Sequence, residues 1–213
     1  MFVGERMSRP VISVPPDIPI IDALNLMRRE HIRRAPVVKD GRLIGIISEK
    51  DLLNASPSAA TTLSVWELNY LLSKITVQEI MTKEVLTIDE GTPIEEAARI
   101  MADNKVGGLP VLKDNHLVGM ITETDLFKVF LELMGAREMG VRVTVLVADR
   151  PGELAKLGQS VMNLGGNIIA FGIFTGEDIT NRKATFKVTG VDVEQMISII
   201  TPIVEKVIDI RYC

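Results

Sequence analysis

Along the first 133 residues, apolar positions follow two rhythms, and the whole succession comes twice. A short β-branched stretch, Val11 to Val14, predicts a strand. Ile20, Ala23, Leu24 and Met27 follow at the i, i+3, i+4, i+7 spacing of a helix that buries one face. A run at Pro36 to Val38, the dipeptide Asp40-Gly41 and a second run at Leu43 to Ile47 then predict a hairpin with a two-residue turn. The pattern recurs with Ile94, Ala97, Ala98 and Met101 as the helix face and Asp114-Asn115 at the turn. Met7 to Leu52 aligns without a gap on Met81 to Leu126, an offset of 74 residues, with about a third of the pairs identical. The strongest part sets APVVKDGRLIGIISEKDL against LPVLKDNHLVGMITETDL. A unit repeated in tandem usually cannot bury its apolar face alone, so the pair is expected to be the folding unit.

From about Val141 the rhythm changes. Val141 to Val147 reads as a strand, Asp149-Arg150-Pro151-Gly152 as a turn, and Leu154, Leu157, Val161 and Leu164 as a helix stripe, with the proline suited to the first helical turn. Gly165-Gly166 ends that helix. Asn167 to Thr175 and Ala184 to Val188 form a hairpin across a polar loop, Val193 to Ile200 is helical, and Val204 to Ile210 closes. The order βαββαβ predicts a ferredoxin-like sandwich, so the fold class is α/β (α+β) overall. The expected boundaries are 1–74 for the first copy with its linker helix, 75–136 for the second, and 137–213 for the sandwich. The linker ASPSAATTLSVWELNYLLSKITVQEI begins with small residues and turns helical, with Trp66, Tyr70 and Lys74 on one face, as a brace at a dimer contact.

Charge and composition narrow the function. A net charge of -4 argues against a nucleic-acid partner, which calls for a basic face. No apolar run approaches a membrane span, and MFVGERMSRP lacks the apolar core of a signal peptide, so a cytoplasmic protein is expected. Cys213 is the single cysteine, and His31 and His116 are far apart in sequence, so neither a disulfide nor a zinc site is expected. No Walker loop, GxSxG or HExxH is present. Glu95-Glu96 suits the dipole at a helix start. Catalysis is therefore not expected.

Both copies close on a hydroxyl residue three before an aspartate, Ser48 with Asp51 and Thr122 with Asp125, at the start of a helix. This is close to a capping box, in which hydroxyl and carboxylate satisfy free helix amides. The same geometry suits a nucleotide, with phosphate at the helix start and a carboxylate on the ribose hydroxyls. The two roles are compatible.

With MSRPVISV and MTKEVLTI leading, HIRRAPVV and KVGGLPVL before the hairpins, and GIISEKD and GMITETD closing, the copies resemble cystathionine-β-synthase (CBS) domains paired into a Bateman module. The resemblance implies a cleft that binds adenine nucleotides (AMP, ADP or ATP) or adenosyl compounds such as S-adenosylmethionine. Ribose contacts would fall on Asp51 and Asp125, and phosphate or ribose contacts on Ser48 and Thr122. Base contacts would fall on Ser13, Ile32, Ala35 and Pro36, and on Thr87, Val106, Leu109 and Pro110. Several of these are also natural core residues, Ile32, Ala35, Val106 and Leu109 above all. Arg33 and Arg34 align with Gly107 and Gly108, which predicts unequal sites, the arginine-bearing one suited to a di- or triphosphate; a solvated basic edge explains the arginines equally well.

VADRPGELAKLGQSVMNLGGNI resembles the opening of an ACT domain, a regulatory module that often binds amino acids between paired copies. That resemblance puts contacts at Asp149, Gly152 and Asn167, although a helix cap, a tight turn and a post-helix turn account for the same residues. The whole order resembles the bacterial acetoin-utilisation AcuB-like proteins. It implies a stand-alone regulator; a homodimer acting on a partner enzyme, without a catalytic cofactor, is the expected reading. The alternative is a structural protein whose modules only oligomerise and dock that enzyme.

Overall fold

The computed structural model describes residues 1–55, 70 and 73–213. The expected brace helix around Trp66 lies outside the described residues, although Lys74 Nζ sits 5.2 Å from the centre of the Tyr70 ring. The chain forms two compact units, Met1–Leu126 and Phe127–Cys213. Among the described residues no helix is long and apolar enough to cross a membrane.

In the first unit the leading segments of the two copies change places. The short helix α1 (Val3–Arg6) docks on the second copy, where the Val3 amide donates to the Thr92 carbonyl at 2.9 Å and the Gly4 amide to Glu90 at 2.8 Å. Its counterpart leads the second copy but docks on the first, with Val77 donating to Ile18 at 3.0 Å and Gln78 to Pro16 at 2.8 Å. The main helices of the copies, α2 (Ile20–Arg29) and the helix Ile94–Asn104, start after Pro19 and Pro93 without side-chain caps. The exchanged segments supply what is missing: the Ile20 amide donates to the Ile75 carbonyl and the Ile94 amide to Met1. Two residue pairs, Ser8 with Met120 and Thr82 with Ile46, close the crossing as isolated antiparallel bridges. Both crossings need a glycine. A Cβ on Gly119 would strike Met7 Sδ, and a Cβ on Gly45 would strike Met81 Sδ.

Each copy then builds a hairpin: β1 (Arg34–Lys39) with β2 (Arg42–Ser48) in the first, β4 (Gly108–Lys113) with β5 (His116–Thr122) in the second, where a two-residue β3 (Ile88–Asp89) adds in parallel to β4. Both turns take the expected positive φ, at Asp40 (50°) and Gly41 (75°), and at Asp114 (49°) and Asn115 (64°). The strand expected over Val11 to Val14 shrinks to a single parallel bridge between Val14 and Val37, because the chain has only just left the other copy. The first core joins Ile20, Ala23, Leu24 and Met27 to Val37, Ile47 and Leu52, and it includes Val77 from the exchanged segment.

Short helices follow β2 and β5: α3 (Glu49–Asn54) and the helix Glu123–Leu133, which begins at the end of the first unit.

The second unit is the expected ferredoxin-like sandwich. Its antiparallel sheet has the order β7-β8-β6-β9, where β6 is Val141–Ala148, β7 Asn167–Thr175, β8 Asn181–Thr189 and β9 Lys206–Tyr212. Helices Glu153–Asn163 and Val193–Ile200 cover one face, burying Leu157, Val161, Met196 and Ile200 against alternate strand residues such as Val143 and Phe186. The opposite face carries Lys187, which is 5% exposed and whose Nζ donates to the carbonyls of Gly135 (3.1 Å) and Glu138 (2.9 Å). Two local expectations are corrected. Pro151 precedes the helix instead of entering it, since Gly152 at φ 93° is the N-cap, and the last strand begins two residues after Val204 because a 3-10 turn, Thr201–Ile203, intervenes.

Met7 is 8% exposed and belongs by sequence to the first copy, yet it packs on the second. Met7→Ala is expected to cost about 2–5 kcal/mol. Hydrogen exchange should then quicken in β5 more than in β2, a result independent folding of the copies would not give.

Candidate functional site

The exchange brings the closing motif of the first copy against the second copy. A cleft of about 310 Å³, at the small end of the usual size for a ligand site, is lined by Arg34, Ser48 and Asp51 from one copy and by Lys105, Val106, Gly108 and Leu109 from the other. The exchanged segment completes the wall with Thr82, Glu84, Val85 and Leu86.

Ser48 and Asp51 form a full capping box. The Asp51 amide donates to Ser48 Oγ at 3.2 Å, while the Ser48 amide (2.9 Å) and hydroxyl (2.6 Å) both donate to Asp51 Oδ2. The first helical amide, that of Glu49, donates to the Arg33 carbonyl at 2.9 Å. With these amides engaged and a helix of six residues, the helix start has little left for an anion. Charge for a phosphate must come from side chains, and the cleft offers Arg34 and Lys105. Asp51 Oδ1 takes no part in the box and supplies the acceptor a ribose hydroxyl needs.

Arg34 reaches across the copies. A Cβ on Gly107 would lie 2.5 Å from Nη2, 2.7 Å from Nη1 and 2.8 Å from Cζ of the guanidinium. The absence of a side chain at 107 is therefore what seats the arginine. The glycine that accepts Arg34 is not its aligned counterpart, Gly108, but the neighbouring Gly107, which aligns with Arg33.

The remaining candidates are divided. Thr122 and Asp125 repeat the motif in the second copy, with the Thr122 amide (3.0 Å) and hydroxyl (2.7 Å) donating to Asp125 Oδ2, and Asp125 is 5% exposed. Ala35, Leu109, Pro36 and Pro110 are buried, Ile32 and Val106 half-buried, and Ser13, Arg33 and Thr87 exposed. The irregular segment from 82 to 87 faces two ways: Thr82, Glu84 and Leu86 line the cleft, whereas Lys83 and Thr87 line a different cavity, with Val85 on both. Lys105, Gly108 and the wall from Thr82 to Leu86 were not among the candidates, because an alignment of two copies does not reveal that their leading segments cross.

In the second unit Asp149 caps nothing; its Oδ2 accepts from Arg182 Nε at 2.9 Å. Gly152 provides the left-handed residue of the turn. Asn167 starts β7 beyond the far end of the 11-residue helix, roughly 16 Å of helix away from Gly152, so one chain does not gather the three residues. Beside the turn, the buried Glu153 accepts from Arg150 Nε (2.7 Å) and Lys156 Nζ (2.8 Å). These two cations, Lys156 foremost, hold its carboxyl below the usual 4.5.

Comparisons with known proteins agree with this architecture. The family model for the CBS domain matches residues 3–58 and 77–132, and that for the TTHA0829-like ACT domain matches residues 139–211. An uncharacterized protein of Methanocaldococcus jannaschii is 33% identical over 136 residues, 60% of this chain, and the chain spans only 46% of that relative's length. The CBS domain pair of protein MJ0100, solved with 5-methylthioadenosine and S-adenosyl-L-methionine, superposes with a TM-score of 0.52 at 28% identity, covering 65% of this chain and 98% of that one. CBSX2, solved with AMP, gives 0.52 at 29%, covering 62% and 97%. An acetoin utilization protein (AcuB) from Vibrio cholerae gives 0.53 at 28%, covering 64% and 95%.

Since folding lowers the carboxyl of Glu153, its stabilising effect is complete above the ordinary carboxylate range and is lost as pH falls through the lowered value. Glu153→Gln is expected to flatten the acid-side fall of melting temperature below pH 4.5, read by calorimetry across pH.

Proposed function

As the chain belongs to the CBS-domain family, a tandem pair followed by an ACT domain, we propose that it is a non-catalytic regulatory sensor of adenine nucleotides or adenosyl compounds. The observation that carries this reading is the composite cleft, which gathers the Ser48 and Asp51 motif, Arg34 and the apolar Val106 and Leu109 from opposite copies. Adenine lies against Val106 and Leu109, a ribose hydroxyl donates to Asp51, and phosphate is met by Arg34 and Lys105. The neighbours solved with AMP, and with S-adenosyl-L-methionine and 5-methylthioadenosine, support the ligand class. Arg34 and Lys105 are balanced in the cleft by Asp51 and Glu84, so net charge alone does not choose between a nucleotide and the sulfonium of S-adenosylmethionine. Thr122 and Asp125, with Ile32, Ala35 and Pro36, form the second and unequal site. The adenine-nucleotide pool this requires is intracellular, which supports a cytoplasmic setting.

The ACT domain serves self-association. Because Asp149 is already paired with Arg182 and Asn167 stands at the far end of the helix, an amino-acid site here would need a second copy of the chain. One observation favours a reading without ligand: the Ser48 and Asp51 box is complete as a cap, as a purely oligomerising protein docking a partner enzyme would have it.

Titration calorimetry separates these readings. Adenosine, AMP, ADP, ATP and S-adenosylmethionine should show measurable binding for at least the nucleotides. Asp51→Ala should weaken binding about ten- to hundredfold through a lost charged hydrogen bond. Absence of heat with every compound would favour the oligomerising protein. Gly107→Ala should displace only the mobile end of Arg34, lowering affinity for ADP and ATP while sparing adenosine; equal losses for both would show that the guanidinium does not read phosphate.

A further inference from the structure

A cavity of about 660 Å³ lies on the opposite side of the segment from 82 to 87, and of its lining residues the repeat motifs give a role only to Thr87. Three elements converge on it: Arg42 from the turn of the first hairpin, His116 from the second hairpin, and Lys83 from the exchanged segment between them. Neither Arg42 nor Lys83 makes an ion pair among the described residues, although the chain as a whole carries a net charge of -4. His116 Nδ1 lies 2.8 Å from the Asp114 carbonyl, which only accepts, so Nδ1 carries a hydrogen, and Nε2 meets a phosphate oxygen as a donor in the doubly protonated ring. Among the described residues Asp40 is the one carboxylate lining the cavity, and Leu43 and Leu112 supply apolar wall.

We propose that this cavity is a second, independent site for a small organic phosphate, with the phosphate on Arg42, Lys83 and His116 and the organic portion on the leucines. Its volume falls within the usual range for small-molecule sites. Convergence from three separated segments distinguishes it from a solvated charge run, which lies along a single element. The site depends on the exchanged segments, since Lys83 comes to the first hairpin only by the crossing at Thr82 and Ile46. It does not depend on the adenine reading, because Lys83 and Arg42 take no part in the composite cleft.

Inorganic pyrophosphate titrated into the full chain and followed by amide NMR tests this directly. Saturable shifts are expected at Arg42, Lys83 and His116, and the double variant Arg42→Ala, Lys83→Ala should weaken them at least tenfold. In that variant AMP should still shift Ser48 and Asp51 as before, which keeps the outcome separate from the fate of the adenine site. Shifts confined to Ser48 and Asp51, no saturable shift, or binding unchanged in the double variant would each overturn the proposal.

Discussion

The first unit depends on one constraint: each copy of the repeat is completed by the leading segment of the other. Val77 sits in the core of the first copy, to which it does not belong by sequence, and the equally buried Val3 is hydrogen-bonded to Thr92 of the second. The helix-start amides of Ile20 and Ile94 find their acceptors on the exchanged segments. Unpaired amides in a buried setting are costly, so a single copy would lack both core volume and hydrogen-bond partners. The methionine seats over Gly45 and Gly119 impose the same requirement sterically.

Function follows from that exchange. The segment that crosses at Thr82 presents alternate residues to two cavities, so one short stretch of chain helps to build both. The motif that reads as a nucleotide contact is at the same time a helix cap, and its amides are already engaged. What distinguishes the cleft from a plain cap is the surrounding chemistry, namely Arg34 seated over Gly107 and Lys105 on the same wall. In the aligned position of the second copy Gly108 replaces the arginine, which gives the two copies different electrostatics around the same Ser/Thr and Asp pair.

Much of the fold was legible from periodicity. The helix face at Ile20, Ala23, Leu24 and Met27, both two-residue turns and the βαββαβ order all stand where the pattern puts them. What was not legible was contact between distant segments. Val11 to Val14 has strand composition but keeps only one bridge, because pairing depends on where the chain arrives, not on propensity. Of the candidate site, Arg34, Ser48, Asp51, Val106 and Leu109 meet in one cleft, whereas Thr87 lines a different cavity. Lys105 carried no signal of its own beyond its alignment with His31. In the second unit Asp149 looked like a cap and proved to be half of an ion pair with Arg182, 33 residues away.

In the proposed site one adenine ligand is held by both copies at once. A structure of the full chain grown with ADP tests it most directly. Ribose density is expected at Asp51, with the base against Val106 and Leu109 of the opposite copy. A nucleotide contacted by the residues of one copy alone, or an empty cleft at saturating ADP, would contradict it.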